Sequence, residues 1–434
     1  MKYPRYAAYK ESGVEWIGEI PEHWRLLKLK YLVWCLDSKR IPLNAQERSF
    51  QEGDIEYWGA NGVVGYVDKF LFNEELVLIG EDGAPFNEKF REVAFYVNKP
   101  IWPNNHIHVL KVRVGISSNF IKHSLNSCDF TNFIEGSTRD KLTQSNLLQI
   151  PIAICDTNEQ KKLSSFLEAK ISIIDNITSK LQKLISLLKE KRQAIISNAV
   201  TKGLDRSVWM KDSGVEWIGE IPEHWNIQKL KRIFQVLNGS TPRSDNPLYW
   251  NGNIIWVTPE DLSLTVSPVI CKSSRQITTE GYDSCGTNLV PKGSIIVSTR
   301  APIGYVKISG VELCTNQGCR SLVKKTEANE NYFFYYLYCF GSVLNSLGRG
   351  STFAELSSEN LKMFQISIPP IEEQLTITQF LASETSKIDG LISKHLKLID
   401  LLKEYKTSLI TQAVTGKIDV RGFTLPTTSS DANQ

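Results

Sequence analysis

A repeated segment constrains this chain more than any other feature of its sequence. Residues 12–24 read SGVEWIGEIPEHW, and residues 213–225 read the same thirteen letters. The offset of 201 residues is far longer than the period of a solenoid, so the repeat indicates a duplicated domain. The repeated segment is mostly apolar and aromatic, which favours packing inside each copy over a role as an interface anchor.

A second repeated block closes each copy. The sequences LLKE at 187–190 and AVT at 199–201 return at 401–404 and 413–415, now with an offset of 214. The middles between the shared start and the shared end barely resemble each other. Random drift alone would change the shared start, the shared end and the middle of each copy to the same extent. The pattern therefore favours a shared partner for the conserved ends and two different targets for the middles.

The shared ends are predicted to be long helices. Neither 158–200 nor 372–414 contains a proline, and apolar residues recur there at steps of three, four and seven, which is typical of a coiled-coil seam. The two helices are expected to pack antiparallel and to bring the chain ends close together, with a coiled coil between two chains as the alternative. The predicted seam consists of Leu167, Ile174, Ile177, Leu181, Leu184, Leu188 and Ile195, and of Leu381, Ile388, Leu391, His395, Leu398, Leu402 and Leu409.

Composition excludes several classes of protein. The 434 residues include 50 basic and 47 acidic side chains, and 41% are apolar, so a mainly disordered chain is excluded. No apolar run reaches membrane-spanning length, and residues 1–10 lack the apolar core of a signal peptide, so we expect a cytoplasmic protein without a membrane contact. The eight cysteines form no C-x-x-C pair, which predicts reduced thiols and no metal site.

The repeated motifs resemble a known family. The IGEIPEHW start, the IPPIEEQ beginning of the second leucine-rich helix and the AVTGKID exit are similar to those of the specificity subunits of type I restriction–modification enzymes. The resemblance covers nearly the whole chain. One departure is ICDT at 154–157, where the second copy has IPPI, and it concerns only how the first long helix begins.

The resemblance implies a fold and a set of partners. Two globular α/β target-recognition domains would alternate with two long antiparallel coiled-coil helices, and each domain would read one half of a split, asymmetric site in double-stranded DNA. The helices would set the spacing and dock two modification (methyltransferase) subunits, and restriction (nuclease and translocase) subunits would join them. The chain itself would be non-catalytic and hold no cofactor, with S-adenosylmethionine, ATP and Mg on the partner subunits.

The resulting division of the chain has five parts. They are recognition domain 1 (1–157), helical repeat 1 (158–206), recognition domain 2 (207–370), helical repeat 2 (371–420) and a flexible tail (421–434).

Polar residues in the loops of both middles are the candidates for contact with DNA, because they carry the donors and acceptors that base edges and phosphates require. For most of them a turn, a helix cap or a surface ion pair remains an equal alternative. Glu81 and Asp82 are predicted to be structural. The candidates are Asn61, Asn104, Asn105, His106, Ser137, Thr138, Arg139 and Lys141 in the first copy, and Ser240, Thr241, Arg243, Thr299, Arg300, Asn316, Gln317, Arg320, Ser351 and Thr352 in the second.

Motifs of a catalytic chain are missing from the sequence. The segment NPLY at 246–249 lacks the second proline of an adenine methyltransferase loop, and neither a GxxxxGK[ST] phosphate loop nor an HExxH zinc motif occurs. These omissions argue against a single-chain methyltransferase or nuclease. A coiled-coil scaffold without DNA binding and the specificity subunit of a related bipartite restriction enzyme remain as alternatives.

Overall fold

The computed structural model describes residues 3–136, 139–300, 302–348 and 355–424. The chain divides into two compact units. Unit 1 joins Met1–Lys183 to His395–Gln434, and unit 2 is Leu184–Lys394. Each unit therefore combines one of the two unlike middles with parts of both long helices.

Unit 1 is built on an antiparallel four-stranded sheet in the order β4-β10-β7-β8 and a three-stranded sheet in the order β6-β5-β9. Its strands and helices are β1 (Tyr9–Glu11), β2 (Glu19–Pro21), β3 (Arg25–Lys28), β4 (Val33–Cys35), α1 (Ala45–Ser49), β5 (Ile55–Gly59), β6 (Gly62–Val67), β7 (Leu76–Gly80), β8 (Ala94–Val97), β9 (Ile101–Pro103), β10 (Ile107–Val112), α2 (Ser118–Leu125), β11 (Ile134–Glu135), β12 (Lys141–Leu142), α3 (Gln144–Leu147), β13 (Pro151–Ile154) and the first part of α4 (Thr157–Lys202).

Unit 2 repeats this plan with a five-stranded sheet, β17-β24-β21-β22-β19, and a three-stranded sheet, β20-β18-β23. Its elements are β14 (Met210–Asp212), β15 (Glu220–Pro222), β16 (Asn226–Lys229), α5 (Leu230–Ile233), β17 (Phe234–Asn238), β18 (Trp250–Val257), α6 (Pro259–Leu264), β19 (Val269–Ile270), β20 (Arg275–Ile277), α7 (Thr279–Asp283), β21 (Ile295–Ser298), β22 (Val306–Ser309), β23 (Cys314–Thr315), β24 (Cys319–Lys324), α8 (Glu330–Cys339), α9 (Gly341–Ser346), α10 (Ser358–Met363), β25 (Gln365–Ile368) and the first part of α11 (Ile371–Val414).

The two long helices begin differently, as the sequence of the first copy suggested. The Asp156 carboxylate caps α4 by accepting hydrogen bonds from the backbone N–H groups of Asn158 and Glu159, at 2.9 and 3.1 Å. In the second copy α11 begins at Ile371, directly after two prolines. Helix α4 ends before Gly203, whose φ of 71° is the left-handed conformation that commonly follows a helix.

The helix segments run antiparallel within each unit. In unit 1, Lys406 of α11 binds Asp175 of α4 at 2.9 Å. In unit 2, Arg192 of α4 binds Asp389 of α11, also at 2.9 Å. The two pairs occupy equivalent positions of the repeat, because both Lys406 and Asp389 lie 214 residues after their counterparts.

The repeated SGVEWIGEIPEHW segment packs inside each unit, which confirms the interpretation that it stabilises the frame. Trp24 and Trp225 are fully buried. Their indole N–H groups donate to the carboxylates of Glu159 and Glu373, at 3.3 and 3.1 Å, near the starts of α4 and α11. One carboxylate thereby joins each repeated segment to its long helix, and it is buried in unit 1 but partly exposed in unit 2.

The chain ends meet in unit 1. The backbone N–H of Asp419 donates to the carbonyl of Pro4 at 2.8 Å, and both Tyr3 and Phe423 pack edge-on against Phe166. The expected proximity of the two ends is confirmed. The residues of the predicted tail after 424 lie outside the described residues. In the described part of the chain, no helix is both long and apolar enough to cross a membrane.

Candidate nucleic-acid interface

Three segments of unit 1 meet where β7 ends and β10 begins. Gly80 pairs with Ile107, so the loop that carries Glu81 and Asp82 lies beside the loop that carries His106. An isolated bridge between Asp82 and Lys141 adds the third segment. Six of the eight candidates from the first copy fall in or beside this cluster.

Acidic side chains of the cluster hold its cations in place. Asp82 binds the His106 Nδ1 at 2.7 Å and the Arg139 guanidinium at 3.3 Å. Glu81 binds Lys141 at 3.4 Å and Arg40 at 2.7 Å. This agrees with the structural role expected for both carboxylates.

The cations of unit 1 remain accessible to a partner. Arg139 keeps 61% of its side-chain surface and Lys141 keeps 49%, whereas the carboxylates beneath them are mostly covered. Asn105 is exposed, and Asn61 is exposed while its amide donates to the carbonyl of Gly83 at 3.2 Å. The edge therefore presents amide, imidazole and cationic donors on one surface, which suits a polyanion with hydrogen-bonding edges.

The candidates of unit 2 converge at the equivalent edge. Thr299 and Arg300 follow β21, and Asn316 and Gln317 connect β23 to β24. Thr241 adds a third loop, because its hydroxyl is hydrogen-bonded to the Gln317 amide oxygen.

Arg300 is the half-exposed cation of this edge. Its Nε donates to the Glu355 carboxylate at 3.1 Å, and 47% of the side chain stays exposed. Ser240 precedes Thr241 in the loop between β17 and β18, and its backbone N–H donates to the carbonyl of Thr315. Unit 2 thus offers a guanidinium, hydroxyls and an amide where unit 1 offers two cations, an imidazole and asparagines.

The structure corrects the sequence-based candidates at three positions. Thr299 is fully buried, with its hydroxyl on the carbonyl of Gly318. Arg320 is only 9% exposed, and its guanidinium binds backbone carbonyls and side chains of its own unit. Asn104 is equally buried and accepts the N–H of His106. These side chains shape the loops, because a donor enclosed by its own domain is not free to contact a base.

Of the remaining candidates, Arg243 lies two residues after Thr241 on the same loop. Its side chain is exposed and pairs with Asp245 at 3.2 Å. Ser137, Thr138, Ser351 and Thr352 lie outside the described residues.

Sequence reasoning missed an exposed arginine in unit 2. The guanidinium of Arg275 lies 3.5 Å from the ring centroid of Trp250 and 5.7 Å from that of Trp256. Cation–π contacts of this kind attract a guanidinium to the face of an aromatic ring. The tryptophan spacing on β18 was visible in the sequence, but only the pairing of β18 with β20 brings Arg275 to them.

A buried cluster in unit 1 contains the residue types of a metal site. Cys35, Asp37 and His108 lie close together. However, both ring nitrogens of His108 already have protein partners, the Asp37 carboxylate and the carbonyl of Leu142. Burial and the charge of Asp37 raise the pKa of Cys35 to about 12, so the thiol stays protonated. The donor set fits a hydrogen-bonded network and does not fit a bound ion.

The long helices bury a stripe that differs from the predicted seam at four positions. Ile177, Leu184, Leu391 and Leu398 are 40–43% exposed. The inward positions are the next residues along the chain, among them Thr178. The predicted register is wrong at these positions because the inward residue Thr178 is polar. The apolar residues of the neighbouring stripe form an equally regular pattern and resemble a seam. The other predicted seam residues are buried or half-buried.

The exposed stripe lies on one side of the helix pair in each unit. In unit 1, Ile173 and Leu398 each precede an inward residue by one position. On each helix, the preceding residue points about 100° away from the inward residue. Because the two helices are antiparallel, these rotations are opposite when both are viewed from one end, so both side chains point to the same side of the pair. In unit 2 the same holds for Leu184, Leu187 and Leu391.

The two units share one construction but expose different polar side chains at equivalent edges, which defines a class of duplicated proteins with two unlike surfaces. The family described as "Type I restriction modification DNA specificity domain" matches residues 21–186 and 222–399. The chain therefore belongs to this family, and the predicted fold class is confirmed.

Relatives extend over the chain to different degrees. The type I restriction enzyme MjaIX specificity subunit of Methanocaldococcus jannaschii is 37% identical over 195 residues, which cover 44% of each chain. The putative type I restriction enzyme MjaX specificity subunit of the same organism is 26% identical over 443 residues, covering 95% of this chain and 98% of the relative. The second alignment shows that the similarity includes both units.

Solved structures share the fold. A chain described under "Structural basis underlying complex assembly and conformational transition of the type I R-M system" matches with a TM-score of 0.69 and 15% identity, over 91% of this chain and 98% of that one. The HsdS subunit from Thermoanaerobacter tengcongensis matches with a TM-score of 0.51 and 14% identity, over 92% and 98%. At these identities the likeness concerns the fold alone.

Proposed function

We propose that this chain is the DNA sequence-specificity subunit of a type I restriction–modification complex and that each unit reads one half of a split target in double-stranded DNA. One observation supports the proposal: each unit places polar side chains at the equivalent edge of its own sheet, but these side chains differ between the two units. Unit 1 presents His106, Arg139 and Lys141, whereas unit 2 presents Arg300 and Gln317. Unlike donors at equivalent edges suit unlike half-sites.

In this proposal the chain performs no catalysis. The missing phosphate-loop, zinc and methyltransferase motifs support this assignment. S-adenosylmethionine would bind the two modification subunits, ATP and Mg would serve the restriction subunits, and the complex would act in the cytoplasm.

The charge balance favours joint binding of DNA with the partners. Residues 26–150 carry 14 basic and 15 acidic side chains, and residues 227–365 carry 14 and 10. Neither middle is basic enough to supply strong non-specific attraction to phosphates. We therefore expect the modification subunits to enclose the duplex and to supply much of the affinity.

The exposed stripe on the helices is the surface we assign to these modification subunits. In unit 1 it contains Ile173, Ile177, Leu398 and Leu401, which are 40–52% exposed. In unit 2 it contains Leu184, Leu187 and Leu391. Because the equivalent stripe occurs in both units, two copies of one partner would bind in the same way, one to each.

The docking surface is tested by co-purification of the modification subunit with the full chain. The double variant Leu398→Glu/Leu401→Glu is expected to lose at least one modification subunit, because two charges would be buried in an apolar interface. Leu396→Glu is the matched control: Leu396 is 50% exposed on the same helix, but about 200° around it from Leu398. Equal loss in the control, or no loss in the double variant, would contradict this docking surface.

DNA reading is tested by selecting duplexes from a random library with the purified complex. Two conserved blocks separated by a fixed gap are expected. Arg300→Ala in unit 2 is expected to relax one block and to leave the other unchanged, and Arg139→Ala in unit 1 is expected to do the reverse. A selection that yields no conserved block would favour a scaffold, and a change in both blocks from either variant would contradict the assignment of one half-site to each unit.

A further inference from the structure

A buried polar side chain occupies the same strand-pairing position in both units: His108 in unit 1 and Arg320 in unit 2. Leu110 of β10 pairs with Cys35, and Leu322 of β24 pairs with Val236, which aligns the two strands. His108 and Arg320 each lie two residues before these leucines. Their opposite neighbours, Ile79 of β7 and Val297 of β21, are equivalent as well. The side chains differ in type, so the sequence repeat does not reveal the correspondence.

His108 makes a hydrogen bond through each of its ring nitrogens. Its Nδ1 lies 2.5 Å from the Asp37 carboxylate and its Nε2 lies 2.7 Å from the backbone carbonyl of Leu142. A carbonyl oxygen only accepts hydrogen bonds, so Nε2 donates. The buried ring thereby joins Asp37, which follows β4, to the segment that contains Leu142.

Arg320 makes the corresponding links in unit 2. Its Nε donates to the Ser358 hydroxyl at 2.7 Å, and its Nη2 lies 3.5 Å from the Glu355 carboxylate. Its Nη1 donates to the carbonyl of Gln317 at 2.7 Å. The guanidinium thereby joins the loop before β24 to the segment that begins at Glu355.

The segments held by His108 and Arg320 are also equivalent. In unit 1 the N–H of Leu142 donates to the carbonyl of Glu81, and in unit 2 the N–H of Leu356 donates to the carbonyl of Thr299. Isolated bridges join Asp82 to Lys141 and Arg300 to Glu355. Each segment is thus attached by its backbone to the loop that follows β7 or β21, and the buried His108 or Arg320 side chain supplies a second attachment.

These segments set the exposed groups of each edge. Lys141 directly precedes Leu142, and Arg139 lies two residues before Lys141. Glu355 directly precedes Leu356 and orients Arg300. Loosening either segment would move the exposed cations of one unit and leave the other unit unaffected, because every bond described runs within one unit.

We propose that His108 and Arg320 are positioning residues, each of which fixes the segment that presents the exposed cations of its own unit to one half-site. The inference rests on the proposed function, since it assumes that each edge reads DNA. Neither residue would touch a base, because both are enclosed. Their loss would appear as relaxed discrimination at one half-site without loss of the partner subunits.

The test is sequence selection from a random duplex library by the full complex, with half-site discrimination as the readout. His108→Gln is expected to lower discrimination about tenfold at the half-site assigned to unit 1, since the flexible amide lacks the two ring nitrogens that reach Asp37 and Leu142 at the same time. Arg320→Gln is expected to do the same at the other half-site. Arg320→Lys is expected to restore part of the discrimination, because it keeps the charge but not the fork of donors.

A control separates positioning from general destabilisation. Val109→Ala removes a buried side chain beside His108 on β10 without breaking any of the bonds described, and it should leave discrimination unchanged. Equal relaxation by Val109→Ala, relaxation of both half-sites by one variant, or full discrimination in folded His108→Gln and Arg320→Gln would overturn the inference. If the wild-type complex selects no sequence, the proposed function itself fails. If His108→Gln does not fold, the comparison of Arg320→Gln with Arg320→Lys still decides the inference.

Discussion

A buried histidine of α2 makes the stability of unit 1 depend on pH. His123 is 3% exposed, and its Nδ1 has no hydrogen-bond partner in the described residues. Burial, together with the positive charges of Lys122 and Lys406, lowers the pKa of His123 from 6.5 to about 3. The imidazole therefore stays neutral in the folded unit at a pH where the unfolded chain binds a proton.

The sign and size of the effect follow from this difference. Because the folded-state pKa is below the unfolded value, acidification favours the unfolded state from pH 6.5 down to about pH 3. Each pH unit in that range removes up to about 1.4 kcal/mol of unfolding free energy. Between pH 7 and pH 5 the loss from His123 alone is about 2 kcal/mol.

The perturbation is His123→Leu, which removes the titrating group and keeps an apolar side chain of similar size. We expect the variant to lose about 2 kcal/mol less unfolding free energy than the wild type between pH 7 and pH 5. Urea unfolding of the full chain at both pH values measures the difference. Other titrating groups cancel, because they are common to the two proteins.

The matched control is His224→Gln in unit 2, where the histidine keeps 45% of its side-chain surface. It should retain most of the wild-type pH dependence. Parallel stability profiles for His123→Leu and the wild type would refute the argument that a neutral, enclosed imidazole produces the acid sensitivity.

Three further changes give sharp expectations. Gly416 and Gly214 have nearly the same positive φ, 71° and 68°, but a Cβ at Gly416 would collide with the ring of Pro21, whereas one at Gly214 would meet open space. Gly416→Ala should therefore cost about 3 kcal/mol or more of unfolding free energy, and Gly214→Ala about 1 kcal/mol. Equal costs in thermal unfolding would contradict the close contact between Gly416 and Pro21. Glu159→Ala should destabilise unit 1 by about 3 kcal/mol, because the enclosed Tyr6 hydroxyl and Trp24 indole lose their acceptor. Glu373→Ala removes a half-exposed carboxylate and should cost about 1 kcal/mol. Urea unfolding of the two variants compares these costs. Insertion of one seven-residue block into both α4 and α11 should lengthen the gap between half-sites, about one helical turn from centre to centre in the unaltered chain, and altered half-sites in a library selection would argue against helices that set the spacing.

Much of the architecture was accessible from the sequence because it depends on local patterns. The absence of proline and the spacing of leucines predicted both long helices. The repeat also indicated that the chain ends meet. Periodicity failed only in the choice of register, since Thr178 is inward while the leucine at 184 is exposed.

The interior of the candidate sites was not accessible in this way. The burial of Thr299 and Arg320 depends on which loops close over them, and the carboxylate of Glu159 meets Trp24 across 135 residues of chain. The correspondence of His108 with Arg320 appears only in the strand pairing, because the two side chains differ in residue type. Local spacing cannot encode contacts that the tertiary structure creates.

The most direct test of the central claim is a genome-wide map of N6-methyladenine in cells that express the modification subunit with and without this chain. A split, asymmetric motif that appears only when the chain is present is the predicted result, and the Arg300→Ala variant should alter one of its halves. Methylation that does not depend on the chain, with both proteins expressed, would contradict the claim that the two edges specify the DNA target.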